Sequence, residues 1–180
     1  MQQALQQLIN EHAGVAPGLL LSVNAPFLKQ GLNWRGAAGV ASRETGAAMS
    51  VEHAFRIASM SKTFTGLLCA QQVEAGKLDL KTPAIALLPG TIAKLLTDSG
   101  IDEPGRISVE LLLQHRAGFD DFALSQDWFS ELAADPGRFR APREIASWAL
   151  EHVKPVGAPG QCYHYSDTGY VLLGLILEQV

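Results

Sequence analysis

The order of segments predicts an α+β fold, with strands gathered near the N-terminus and helices filling the remainder. Three observations carry this expectation. Two β-type runs, Gly18–Val23 (GLLLSV) and Leu32–Val40 (LNWRGAAGV), are joined by a connection over 24–31 with Pro26 in the turn. Beyond Gly76 the apolar residues recur at helical intervals. The chain has 180 residues, 47% hydrophobic and 18% charged, an ordinary globular composition able to bury a core.

Each element has a local reason. Leu5, Leu8, Ile9 and His12 share one face of a helix that stops before Gly14. Residues 41–54 are polar, with Gly46 and Ser50, and read as a loop delivering the chain to Ser59. From there Thr63–Val73 (TFTGLLCAQQV) has apolar residues at Phe64, Leu67, Leu68 and Val73, a spacing expected to bury one helix face, and Gly76 ends it. A short helix is predicted over Thr91–Leu96. Ser108 caps a helix over Val109–His115, with Glu110 in its first turn. Helices follow over Asp127–Ala134 and over Pro142–His152, the latter with proline at the favoured first position. A turn over Val156–Gly160 precedes a last helix, opened by Asp167 or Thr168, that carries Leu172, Leu173, Ile176 and Leu177.

Ser59-Met60-Ser61-Lys62 places a hydroxyl and an amine three residues apart, hence on one face of a helix near its first turn. There the unpaired backbone N–H groups and the positive dipole end favour developing negative charge. A serine becomes a nucleophile at neutral pH when a base is beside it, and an amine can serve. The spacing by itself is common. Its position at the head of an apolar helix is what singles it out.

Net charge −4 and a pI of about 5.7, with no run of Lys or Arg, argue against nucleic acid as a partner. Cys69 and Cys162 belong to no Cys/His cluster, so neither zinc nor a disulfide framework is expected, and Cys69 reads as a small buried hydrophobe. No metal and no cofactor is predicted. The N-terminal residues have neither a basic nor an apolar signal region, and the longest apolar run, Tyr170–Leu177, is far short of the ~20 residues of a membrane span. The expected location is cytoplasmic if the N-terminus is native, and periplasmic or secreted if a signal peptide has been removed.

Three segments together resemble the serine β-lactamase-like family, closest to its class C β-lactamase, D-alanyl-D-alanine carboxypeptidase and family VIII esterase branch. They are Phe55-Arg56-Ile57-Ala58-Ser59-Met60-Ser61-Lys62-Thr63-Phe64, Gly76-Lys77-Leu78-Asp79-Leu80, and Pro159-Gly160 followed by Tyr165-Ser166-Asp167, Gly169-Tyr170 and Leu173-Gly174. Ile107–Gly118, ending His115-Arg116-Ala117-Gly118, is similar to the family's helix and H-T-S-G turn, with Arg-Ala for Thr-Ser. The resemblance runs from about residue 15 to the end.

It implies a β-lactamase/transpeptidase-like architecture, an antiparallel sheet flanked by helices plus a helical subdomain. Residues 1–58 would supply the N-terminal helix and first strands, and 59–180 the helical part carrying both motifs, as one incomplete catalytic domain. It also implies a serine hydrolase acting on an ester or amide (a β-lactam, a D-amino-acid peptide or a short acyl ester) through an acyl-serine intermediate. Ser59 would be the nucleophile, Lys62 its partner amine, and Tyr165 the proton shuttle from the other side. A phenol ordinarily titrates near pH 10, so a neighbouring Lys62 cation is what would make it an acceptor. Whether Lys62 or Tyr165 takes the first proton is left open at this point, as is the substrate beyond a small molecule or peptide.

Two departures from the family pattern stand out. Asp167 takes the place of the commoner Asn; an amide donates to a substrate carbonyl, whereas a carboxylate only accepts. Asp167 is therefore either a substrate-binding residue of altered preference, an ion-pair partner of Lys62 or a helix cap. Second, none of the predicted strands carries the family's K-T-G or H-x-G element, which would supply an oxyanion-hole donor worth about 10²–10³ in rate. The last helix also runs to Val180 with neither Gly nor Pro to close it, and two strands alone make a marginal sheet. The expectation is a chain whose C-terminal strands are absent and whose fold a C-terminal portion or second chain completes. The alternatives are a non-catalytic or slowly acylating penicillin-binding or sensor-like relative, or one half of a split protein.

Other polar residues read as structural. His115 is expected to favour a helix C-terminus by its charge, and His164 to point away from the site. His12, His53 and His152 belong to no constellation. Asp120-Asp121 reads as a solvated loop pair. Trp128 and Phe129 are core residues or an apolar rim.

Overall fold

Seven α-helices and one two-stranded sheet form in the computed structural model, among described residues 1–152 and 154–180. They fall into two units, Met1–Ile57 and Ala58–Val180. In the first, helix α1 (Gln2–His12) precedes strands β1 (Gly18–Asn24) and β2 (Asn33–Gly39), which pair antiparallel from Gly18↔Gly39 to Asn24↔Asn33. Gln6 donates across to the Ala37 carbonyl at 3.1 Å, and Ile9 is buried. The second strand ends one residue earlier than its pattern predicts. Gly39 turns left-handed (φ 81°), and Val40 bridges Ala48 instead.

The second unit contains α2 (Ser61–Glu74), α3 (Gly90–Asp98), α4 (Val109–Leu113), α5 (Gln126–Ala134), α6 (Pro142–His152) and α7 (Asp167–Leu177), with short 3₁₀ turns at 58–60, 84–86, 104–106 and 122–124. Its core is built around α7. Leu172, Leu173, Leu175 and Ile176 are fully buried, in one cluster with Leu112 of α4, Ala146 and Leu150 of α6, and Ile92 and Leu96 of α3. Ser108 caps α4 by accepting the Leu111 N–H at 3.3 Å, as its position predicts. A second cluster joins Phe122, Trp128 and Ala149, the two rings meeting edge to face at 5.0 Å. Trp128 is thus core, whereas the adjacent Phe129 is exposed.

Two expectations fail here. The apolar spacing of α2 predicts a buried face, yet only Cys69 is buried on that helix, while Phe64, Leu67 and Leu68 are exposed. Periodicity says which residues share a face; it does not supply the surface that covers it. The predicted helix over 109–115 ends at Leu113, because His115 takes a left-handed conformation (φ 54°) that no helix continues.

The turn begun by His115 is the main device placing the site. Residues 115–121 run alongside 154–167 and bond to them through both main chain and side chains. The N–H groups of Val156, Gly160 and His164 donate to the carbonyls of Gly118, Arg116 and His115 at 2.9, 2.8 and 2.8 Å. The Arg116 side chain adds a bond to the Gly160 carbonyl. Gly118 (φ 90°) is needed because a Cβ there would run into the Gly157 carbonyl oxygen. Gly118→Ala is therefore expected to destabilise the unit by roughly 2–5 kcal/mol, from backbone strain and overpacking together. Urea denaturation checks it; a loss below about 1 kcal/mol would contradict the close approach.

Candidate active site

Ser59 lies on the 3₁₀ turn Ala58–Met60 that leads into α2, two residues before the α-helix proper. Ala58 ahead of it is left-handed (φ 46°), a conformation costing an L-residue about 1–2 kcal/mol. Nothing in the residue type signals this. Ala58→Gly should relieve the strain, offset in part by glycine's greater freedom when unfolded, for a net gain of up to about 1 kcal/mol in urea denaturation. Unchanged or lower stability would remove strain as the account of that turn.

The turn presents the Ser59 hydroxyl to two donors. Lys62 Nζ donates to Ser59 Oγ at 3.2 Å, and the Tyr165 hydroxyl donates to the same oxygen at 2.7 Å. Lys62 also bonds the Asp167 carboxylate, and its Nζ stands 4.9 Å from the Tyr165 ring centre and 5.6 Å from that of Tyr170. Residues more than a hundred apart in sequence thus meet around one oxygen. The half-buried state of Lys62 comes from these partners rather than from an apolar helix face. Burial alone would make the amine give up its proton more readily; the Asp167 carboxylate, then the Tyr165 oxygen, outweigh it and hold the Lys62 pKa above the usual lysine value.

Asp167 is the first residue of α7, but the helix cap is Ser166, whose Oγ accepts the Thr168 N–H at 3.2 Å. Of the three roles open to Asp167, the structure places it in the ion pair, with its side chain also lining a cavity of about 350 Å³. Ser59, Lys62 and Asp167 are among the polar residues lining that cavity, with Ser61 and Thr65, and Phe122, Ile145 and Val171 are apolar residues lining it. A larger recess of about 770 Å³ beneath the 155–161 turn has no serine, threonine, cysteine or lysine among its lining residues.

Two residues set aside in the sequence reading stand close to the site. His115 serves as an acceptor, its Nδ1 taking the Ser166 N–H at 3.1 Å; burial, then the neighbouring Lys62 ammonium, push its pKa below the usual imidazole value, although the Ser166 bond, Asp167 and Asp121 oppose this. Its ring stacks on Tyr165 at 4.4 Å. Asp121 is not solvated. It is 7% exposed, and its Oδ1 accepts the N–H groups of Ala123 and Asp167, both at 3.1 Å. The turn that buries Asp121 is a tertiary feature, whereas the Gly118 that permits it was visible. His164 pairs with Asp120 at 2.9 Å. Burial pushes the Cys69 thiol pKa up. Among the described residues no group of three or more His, Cys, Asp or Glu could hold a metal ion, and no helix is long and apolar enough to cross a membrane. His12-Ala13-Gly14 has the letters H-x-G but closes α1 rather than lying on a strand.

The beta-lactamase family model matches residues 10–180. The chain belongs to the beta-lactamase family. Penicillin-binding protein 4 of Amycolatopsis lactamdurans is 29% identical to this family member, the match covering 98% of this chain and 41% of that protein. The fold is that of solved relatives. D-amino acid amidase from Ochrobactrum anthropi SV3, complexed with L-phenylalanine, aligns at a TM-score of 0.72 and 24% identity over 98% of this chain and 44% of its own. The octameric penicillin-binding protein homologue from Pyrococcus abyssi aligns at 0.74 and 24%, over 98% of this chain and 38% of its own. This beta-lactamase family chain thus spans less than half the length of these relatives.

Proposed function

We propose that this chain carries the acylation centre of a serine hydrolase, with Ser59 as nucleophile, Lys62 and Tyr165 as its proton-handling partners and Asp167 as the group that keeps Lys62 charged. The observation that carries this reading is the convergence of the Tyr165 hydroxyl and the Lys62 amine on Ser59 Oγ, at 2.7 and 3.2 Å. The substrates are esters or amides: a β-lactam, a D-amino-acid peptide or amide, or a short acyl ester. The 350 Å³ cavity beside Ser59, with its apolar residues, suits a small acyl group.

In the proposed reaction, Ser59 Oγ attacks the carbonyl carbon and loses its proton as the new C–O bond forms. A charged Lys62 donates rather than accepts, so the Tyr165 oxygen, the nearer of the two partners at 2.7 Å, receives that proton while its own hydroxyl proton passes on toward the leaving group. The leaving amine or alcohol takes the proton from Tyr165 as the C–N or C–O bond of the substrate breaks. Water then attacks the acyl-serine, releasing the acid and restoring the hydroxyl.

Incubation with nitrocefin and with a chromogenic short-chain ester tests the reading, followed by intact mass of the protein and absorbance over time. An acyl adduct mapped to Ser59 is expected. Steady turnover would make the chain a hydrolase in its own right, and a single stoichiometric burst would make it a slowly acylating relative. Absence of any adduct on either reagent would overturn the proposal.

A further inference from the structure

We infer that His115 is a positioning residue for Tyr165, fixing the phenol against Ser59 by bonding the main chain on both sides of it and by stacking on its ring. The inference rests on the acylation reading above and names the residue that keeps its proton carrier in place.

Tyr165 has little else to hold it. It lies between the 157–161 turn and α7, outside regular structure, and its side chain is 38% exposed. Yet both of its chain neighbours end on one residue. The His164 N–H donates to the His115 carbonyl at 2.8 Å, and the Ser166 N–H donates to His115 Nδ1 at 3.1 Å. Between these two anchors the Tyr165 ring lies at 4.4 Å from the imidazole, 29° from parallel. His115 is itself held. Its N–H bonds the Leu112 carbonyl at 3.2 Å, and the Tyr170 ring stacks on it at 4.9 Å while the Tyr170 hydroxyl bonds the Leu113 carbonyl at 3.1 Å.

The bond from Ser166 requires a bare Nδ1, so the imidazole must be neutral with its proton on Nε2. The downward push on its pKa from burial and Lys62 suits that state. The left-handed backbone at 115 turns the ring back toward residues 163–166 instead of along α4, and asparagine is among the residues that tolerate such a backbone.

These features make a discriminating pair of variants. Asparagine places an oxygen on Cγ where histidine has Nδ1, so His115→Asn retains the acceptor. His115→Gln moves the acceptor one bond further and abolishes it at that place. Two readouts are taken on the full chain: the ¹³Cζ signals of its tyrosines through a pH titration, assigned with Tyr165→Phe, and the rate at which a fluorescent penicillin labels Ser59. Thermal unfolding is recorded for each variant. The glutamine variant is expected to displace the Tyr165 signal and its titration and to slow labelling about tenfold to a hundredfold, the scale of a small misplacement of a reacting group. The asparagine variant is expected to recover most of both.

An unmoved Tyr165 signal in His115→Gln would overturn the inference. So would equal losses in both variants that simply follow a lowered unfolding temperature. Should His115→Gln not fold, the folded asparagine variant decides: signals at wild-type positions sustain the inference and displaced ones overturn it. Absence of labelling in the wild-type chain would sink the acylation reading alone, since the tyrosine spectra still test His115.

Discussion

Ser59→Ala is expected to remove covalent labelling by nitrocefin or an activated ester altogether, with the intact mass unchanged after incubation. Only the hydroxyl oxygen shared by Lys62 and Tyr165 can accept from both groups and attack a carbonyl, so its removal leaves two donors facing no nucleophile. Loss of the nucleophile in serine hydrolases costs on the order of 10⁶ in turnover, beyond detection in a weakly active chain. The side chain is exposed, so the fold should be little affected, a change within about 0.5 kcal/mol. An adduct surviving in the variant, on Ser61 or elsewhere, would place the chemistry on another residue and end the proposal.

Lys62→Met should slow acylation by about 10²–10⁴, the usual worth of a positioned proton-handling group. It also strips Asp167 of its ion-pair partner. The two side chains are 16% and 31% exposed, so the pair is shielded but not dry, and the stability lost should be a fraction of the 3–5 kcal/mol typical of a fully buried pair, about 1–2 kcal/mol. A second substitution separates these effects. Adding Asp167→Asn removes the orphaned carboxylate, so the double variant should regain stability in urea without regaining rate. If Asp167→Asn restored labelling, or if Lys62→Met alone left the rate within a factor of a few, Lys62 would be an ion-pair partner of Asp167 with no part in acylation.

Much of this could be read in the chain itself. Pro142 opens α6 and Ser108 caps α4 because both signals act within one turn and need no distant partner. The strands are set by short runs and a proline-bearing turn, and the family-like order of segments places Tyr165 with Ser59 and Lys62. What could not be read depends on contacts between distant segments. Whether Phe64, Leu67 and Leu68 are buried depends on a surface opposite them, which no periodicity contains. Asp121 looks like a solvated acid until the chain folds over it and gives it two N–H groups. His115 follows an apolar helix, so a charge at the helix end is the economical reading. Its left-handed turn reverses that meaning and makes it a neutral acceptor beside Tyr165.

The contact between 115–121 and 154–167 has a consequence for how this surface can vary. Its bonds at 156, 160 and 164 are made by peptide groups, which every residue except proline supplies. The side chains of Lys154, Pro155, Val156, Gln161, Cys162 and Tyr163 are exposed and take no part in those main-chain bonds. The side chains at 154, 155, 156, 161 and 162 can therefore change in size and charge without removing those bonds, whereas Tyr163 also meets the His115 ring edge-on at 6.0 Å. Exchanges at those exposed positions leave the serine, the lysine and the tyrosine untouched.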